Sequence, residues 1–309
     1  MALVVVRAGV RSTVQDRGRP GYRGSGVPAG GAFDLGSLGL ANALLGNDLD
    51  AAAVEMTLVG GLYLAAGTMA IALAGAPMAA AIRSHSGPDR PLRIPQSATL
   101  RAGDRLDLGG SPIGARTYLA VRGGWRTPPV MGSRSAEVPL RVGDRLPAEI
   151  GTTTPDRRPV TRPRWRFRSG EPIRVVNGPD ADPDIGDARL LESGPYLVTP
   201  RSDRMGLRLE GPPIAREADP DRPSAPVAPG AIQVAGGLPI ILGVAGGTMG
   251  GYLHLAHVIS ADLDRIGQLG PGDLPRFRRI EVEEAREIDR TERLERARWL
   301  ARIANGAGP

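Results

Sequence analysis

Apolar residues along this chain come in short runs divided by glycine and proline. That spacing predicts strands and turns rather than long helices. In the first half the runs fall at residues 3–6, 54–58, 61–64, 69–74, 79–82, 92–94, 98–101, 105–108 and 117–122, the last closing on Gly123-Gly124. Asp34 is placed to cap a short helix through Leu45, with Leu38, Ala41 and Leu45 on one face and Gly46 as its stop. Residues 60–82 carry no charge and are long enough to span a bilayer. Gly60, Gly61, Gly67, Gly75 and Pro77 interrupt them, so they read as two buried strands and a turn.

Residues 151–172 hold few apolar positions and read as a connector. Beyond it, strands are predicted at 173–177, 232–234, 239–244 and 278–282, and loops at 180–187 and 212–229. Ser260 or Asp262 can start a helix that aligns Leu263, Ile266 and Leu269 before Gly270-Pro271. Residues 283–305 predict a charged helix with an incomplete apolar stripe of Ile288, Leu294, Trp299, Leu300 and Ile303. The halves share short motifs: Leu119-Ala120-Val121-Arg122-Gly123-Gly124 resembles Leu242-Gly243-Val244-Ala245-Gly246-Gly247, and a Gly-Asp pair recurs at 103–104, 143–144 and 272–273. The division is therefore residues 1–165, 166–285 and a helical tail 286–309, with two β-barrel-like units.

Composition sharpens this mainly by exclusion. Aromatic residues make up only 4% of the 309, so the cores must rest on Val, Ile, Leu and Ala. Without cysteine there is no thiol nucleophile, disulfide or thiolate metal site. Without lysine there is no Walker A loop, no Schiff-base enzyme and no lysine-linked biotin on this chain. The net charge of +6 is spread among acids. The one dense basic run, residues 157–168 with Trp165 and Phe167, could bind single-stranded nucleic acid but reads better as connector, so no nucleic-acid partner is expected. Residues 1–6 are too short and lack the basic start of a secretory signal, so a cytoplasmic, membrane-free location is expected.

Three glycine-framed clusters carry candidate chemistry. The first, residues 13–34, sets Asp16, Asp34, Arg17, Arg19, Arg23 and Tyr22 among glycines and two prolines. The second, residues 202–211, places Ser202, Asp203 and Arg204 before a predicted strand; a local salt bridge stiffening a turn is the plainer alternative. In the third, residues 246–252, four glycines surround Thr248 and precede Tyr252, a spacing that can aim backbone N–H groups at an anion. His254 and His257 would share a helical face, but no third ligand is evident and no metal site is expected.

Together these segments resemble the biotin-dependent carboxyltransferase-like family, which includes the C subunit of 5-oxoprolinase and proteins called allophanate hydrolase subunit 2 and KipA. The resemblance covers roughly residues 3–285 and rests on ordered matches. They include Val14-Gln15-Asp16, Pro20-Gly21-Tyr22, Gly26-Val27-Pro28, Leu40-Ala41-Asn42, Gly46-Asn47, Gly132-Ser133-Arg134-Ser135, the 202–211 cluster and Val258-Ile259-Ser260-Ala261-Asp262-Leu263. It implies two cyclophilin-like β-barrel domains with a few short helices. It also implies partner A and B subunits, a small amide or lactam substrate, and ATP bound with the partners, which together open 5-oxoproline to glutamate. Fused relatives carry CO2 from carboxybiotin to urea, which makes carboxyl transfer a further alternative.

On that resemblance Asp16, Asp34, Asp203 and Arg204 are expected to be catalytic. Arg19, Tyr22, Ser202, Thr248, Gly250, Gly251 and Tyr252 are expected to bind substrate. Two departures favour instead a non-catalytic scaffold for a KipI-like B subunit. Residues 136–142 are about ten residues shorter than the family's glycine-rich loop, and such loops often carry function. In the third cluster Gly247, Met249, Leu253 and His254 stand where the family has glutamine, threonine, proline and lysine.

Overall fold

The computed structural model describes residues 2–149, 151–159, 170–182, 187–216 and 222–305. The chain forms two compact units, one of Met1–Arg19, Gly30–Arg166 and Arg296–Pro309, the other of Pro20–Ala29 and Phe167–Glu295. Both are mainly β.

The first unit holds two sheets. One runs Arg145–Pro147, Ala2–Arg7, Leu62–Ala65, Arg105–Leu108, Ala80–Arg83 and Arg90–Leu92 from edge to edge. The other runs Arg11–Gln15, Ala53–Thr57, Arg116–Val121, Met69–Gly75 and Gln96–Leu100. All the named pairings within them are antiparallel. Strand Met69–Gly75 shows how sequence sets the layers. Its side chains alternate, so Ile71 and Leu73 enter one core with Leu3, Met56, Leu106, Leu119 and Val121. Ala70, Ala72 and Ala74 face the other way and pack under helix Leu35–Ala43 with Leu38, Ala41 and Tyr118. Small side chains there let the helix approach the sheet closely. Leu300 and Ile303 join this second core.

The uncharged stretch 60–82 thus forms strands Leu62–Ala65 and Met69–Gly75 and the start of Ala80–Arg83, one for each of the runs at 61–64, 69–74 and 79–82, rather than two strands and a turn. Among the described residues no helix is long and apolar enough to cross a membrane.

The second unit is built on one seven-stranded sheet ordered Leu197–Val198, Gly206–Glu210, Leu238–Leu242, Ala231–Ala235, Leu253–Val258, Ile173–Asn177 and Phe277–Arg279. A two-stranded ribbon, Ala225–Pro226 with Met249–Gly250, stands beside it. In Gly206–Glu210, Leu207 and Leu209 are buried while Arg208 and Glu210 are exposed, as alternation demands. The last strand ends at Arg279, short of the end of the run at 278–282, and helix Val282–Ala304 matches the charged helix expected over 283–305. Within this unit Ala285 and Ile288 of that helix pack against Ile259, Ala261 and Ile280. Asp262, wholly buried, takes a two-pronged contact from Arg174 at 2.6 and 3.1 Å and another from Arg265 at 3.1 Å. The connector's basic run lies outside the described residues over 160–169, as do 183–186 and 217–221 of the two loops.

The recurring Gly-Asp pair is one turn made three times. Gly103, Gly143 and Gly272 have φ of 88°, 92° and 94°, where a side chain is strained. In each, the aspartate carboxylate accepts the backbone N–H three residues back: Arg101 at 2.9 Å, Arg141 at 2.7 Å and Gly270 at 2.8 Å. In each, the glycine N–H also bonds a neighbouring strand, at Ala65, Val5 and Val198. The other shared motif is not equivalent. Leu119 to Val121 lie inside a central strand, whereas the strand ends at Leu242, and Gly123 and Gly124 are left-handed while Gly246 and Gly247 are not.

Candidate functional site

In the first unit the polar centre is Asp16, at the end of strand Arg11–Gln15. One carboxylate oxygen accepts Ser133 Oγ and Ser135 Oγ, each at 2.6 Å, and the Gly18 N–H at 2.8 Å. The other accepts the Arg134 N–H at 2.6 Å. Burial pushes the carboxyl up, but these donors outweigh it and hold the group below its ordinary value. The matched motifs 14–16 and 132–135 are therefore two halves of one clasp. Arg19 ties into it, donating to the carbonyls of Ser135 at 2.5 Å and Val130 at 3.1 Å.

Asp34 caps helix Leu35–Ala43, accepting from the Ser37 N–H at 2.8 Å and hydroxyl at 2.6 Å. Its own N–H bonds the Tyr118 hydroxyl at 2.8 Å, and that hydroxyl donates to the buried Glu55 at 2.6 Å. Burial, then the charges of Glu55 and Asp34, raise the Tyr118 phenol well above its ordinary value. The matched asparagines are also structural here. Asn47 bonds the Asn42 side chain, the Val121 carbonyl and the Gly123 N–H, tying the helix end to a central strand.

In the second unit the remaining candidates adjoin. Asp203 Oδ1 accepts the Met205 and Gly206 N–H groups at 2.8 and 3.3 Å, closing the turn before strand Gly206–Glu210. Ser202 pins the same turn through Arg208 N–H at 3.0 Å. Arg204 is 2% exposed. The carbonyls of Arg204 and Met205 accept the Ala245 and Gly243 N–H groups, so the second cluster is bonded to the segment that leads into the third. A Cβ on Gly246 would come within 2.8 Å of the Met205 carbonyl, which is why that position is glycine.

The third cluster differs from the anion nest its glycines suggested. Gly246, Gly247, Gly250 and Gly251 are not among the left-handed residues, so the alternating backbone of a nest is not formed. Two of these glycines answer a need for close approach instead: besides Gly246, a Cβ on Gly250 would lie 2.6 Å from the side-chain nitrogen of Gln233, itself 3% exposed. Met249 and Tyr252 are exposed beside it.

His254 and His257 lie on strand Leu253–Val258, not on a helix. Three apart on a regular strand, they would face opposite ways. The register slips between Ile232 and Gln233 opposite them, so one residue bulges and both rings meet, Nε2 of His254 and Nδ1 of His257 being 3.4 Å apart. Burial lowers both, and with His254 beside it His257 falls to about 4. His254 is thus neutral at pH 7 and does not replace the family's lysine cation. Its backbone N–H bonds Asp180 at 2.7 Å, and Arg222 meets the same oxygen at 2.6 Å. Among the described residues no three metal-ligating groups are arranged for an ion.

The first cluster divides between the units, and its second-unit piece, Pro20–Ala29, holds Tyr22 and Arg23. Arg23 donates through Nη2 to the Val227 carbonyl, and the Val227 N–H bonds the Thr248 carbonyl at 3.0 Å. Within one unit, then, pieces of all three glycine-framed clusters join hand to hand. Arg23 was visible as a member of the first cluster but without a role; Asp180, Arg222 and Gln233 were not singled out by sequence, because an isolated charge or amide between turns carries no pattern.

Fold and site together define a mainly β protein of two barrel-like units with arginine- and glycine-rich polar loops. The chain belongs to the carboxyltransferase domain, subdomain A and B family, which residues 25–279 match. It is 36% identical over 299 residues to the C subunit of 5-oxoprolinase from Escherichia coli (strain K12), covering 92% of this chain and 93% of that protein. It is 32% identical to urea amidolyase of Lachancea kluyveri, covering 93% of this chain but 17% of that protein. The crystal structure of the K. lactis urea amidolyase superposes with a TM-score of 0.82 at 27% identity, over 96% of this chain and 20% of that one.

Proposed function

We propose that this chain is the C subunit of an ATP-dependent 5-oxoprolinase, acting with A and B subunits to open the lactam of 5-oxoproline to glutamate. The observation that carries the reading is the joining of pieces of the three polar clusters through Val227 and the 243–246 segment in the second unit, in a chain similar over 92% of its length to the C subunit of a 5-oxoprolinase. In the reaction the ring C–N bond breaks, water oxygen bonds the carbonyl carbon, and a proton passes to the departing nitrogen. ATP supplies the driving force, and the described residues do not fit it. There is no phosphate loop, and the third cluster forms no nest. ATP is therefore assigned to the partner subunits.

The four carboxyl and guanidinium candidates divide by what their atoms already do. Both oxygens of Asp16 are engaged, and Asp34 is committed to its helix cap, so these hold the loops and helix of their own unit. Asp203 is exposed and bonds its turn through Oδ1. Its Oδ2 is the oxygen to orient water or take its proton. Arg204 stiffens the turn that presents Asp203, while Thr248 and Tyr252 orient the lactam. Co-expression with the A and B subunits should give ATP-dependent glutamate release, and Asp203→Ala should cut kcat by about 100-fold or more. A well-formed complex that releases no glutamate would overturn the reading.

The neutral, buried His254 favours a second reading, a scaffold that holds a B subunit without turnover. That reading expects a stable complex whose formation Asp203→Ala leaves unchanged and which is inactive with either form.

A further inference from the structure

We propose that the guanidinium of Arg23 anchors a small-molecule carboxylate at the end of the Ala225–Pro226 and Met249–Gly250 ribbon, beside Thr248. Nη2 of Arg23 is committed to the Val227 carbonyl. Nη1 is buried and has no hydrogen-bond partner. Among the described residues no carboxylate lies within ion-pair distance of Arg23. Two other arginines meet carboxylates, Arg174 with Asp262 and Glu292 and Arg222 with Asp180, although Nε of Arg222 is likewise buried without a hydrogen bond. A buried N–H without an acceptor is costly, and an entering acceptor removes that cost.

The geometry selects the class of acceptor. A guanidinium is planar, and Nη1 with the second hydrogen of Nη2 forms a fork that fits the two oxygens of a carboxylate. A phosphate site would call for more donors, and the glycines of the third cluster do not curl their N–H groups into a cradle. The turn that carries Arg23 is exposed at its glycines. Gly24 and Gly26 flank it with no atom within 4 Å of a built Cβ, and Gly26 is left-handed with φ of 78°. The Thr248 carbonyl accepts the Val227 N–H, so the third cluster and Arg23 both bond the backbone of Val227. A lactam held by its carboxylate at Arg23 would have its ring beside Thr248 and Tyr252. The inference rests on the proposed function only for the choice of lactam; a carboxylate anchor stands without it.

Calorimetric titration of the full chain with 5-oxoproline, with 2-pyrrolidinone (the same ring without the carboxylate) and with glutarate (carboxylates without the ring) tests this. The wild type should bind 5-oxoproline at least about tenfold tighter than 2-pyrrolidinone. Arg23→Gln should erase that difference while leaving 2-pyrrolidinone affinity unchanged, and Arg23→Lys should restore it only in part. Equal 5-oxoproline binding by wild type and Arg23→Gln would overturn the anchor and leave the proposed function standing. Glutarate binding that depends on Arg23, with no binding of either lactam, would support the anchor and sink the 5-oxoproline reading. Failure of every carboxylate to bind would overturn the anchor. Arg23 lies on a surface turn, and matched thermal unfolding of the variants confirms that each is folded.

Discussion

At the scale of single residues, burial and hydrogen bonding decide which charges persist. Asp16 is ionised because two hydroxyls and two backbone N–H groups aim at it. Asp16→Asn keeps the shape but sets an amide among donors. We expect a loss of about 2–3 kcal/mol in urea unfolding, with the slope of the transition unchanged. His257 gives the opposite chemistry. Its folded value is about 4 against 6.5 when free. Between those values the unfolded chain binds a proton that the folded chain does not, so His257 contributes stability above pH 6.5 that is lost as pH falls toward 4. His254 and Asp180 sit close enough to modulate this, and Arg222 adds positive charge. Denaturant midpoints measured from about pH 7 to about pH 4 should fall less steeply in His257→Gln than in the wild type. Parallel curves would show that the imidazole is not the group titrating.

Elements repeat a few devices, and the clearest is the Gly-Asp turn. Gly143 and Gly103 share nearly the same left-handed backbone, yet their surroundings differ. A Cβ on Gly143 meets nothing within 4 Å, whereas on Gly103 it would lie 3.0 Å from the His85 ring. Gly143→Ala should therefore cost only the backbone strain, about 1–2 kcal/mol. Gly103→Ala should cost more, and His85→Ala should recover the excess in a double-mutant cycle. Short strands were legible wherever branched residues alternate with polar ones or run together: residues 105–108 and 173–177 match strands Arg105–Leu108 and Ile173–Asn177. Strand Arg11–Gln15 was not, because its Ser12, Thr13 and Gln15 are buried polar residues whose partners lie far along the chain: Tyr63 for Ser12, Ala136 for Gln15. Strand Leu253–Val258 was hidden by its bulge, which breaks the two-residue period that betrays a strand.

On the scale of the whole molecule, the two-unit β architecture was readable from turns and short apolar runs, but the allocation of segments was not. Residues 20–29 carry no periodicity, so nothing local says that they belong with the second unit. For the same reason the candidate site was legible as three clusters and not as a set of contacts: Arg23 finds Val227 across 204 positions. The tail poses the sharper test. Its stripe is incomplete, which fits either packing on a partner or a solvated helix, and Leu294 is exposed. Leu300 and Ile303, however, are 3% and 8% exposed and close the core under helix Leu35–Ala43. Gly39 makes room for them, since a Cβ there would lie 3.3 Å from Leu300. Those two side chains, rather than helix propensity, fix the last turns of the tail, because a solvated helix of alternating charges gains only tenths of a kcal/mol per pair. Leu300→Ala should thus destabilise the first unit by about 2–4 kcal/mol, while Leu294→Ala should change it by less than about 0.5 kcal/mol. Thermal unfolding distinguishes the two, and equal, small effects would mean that the helix is held by its charges instead.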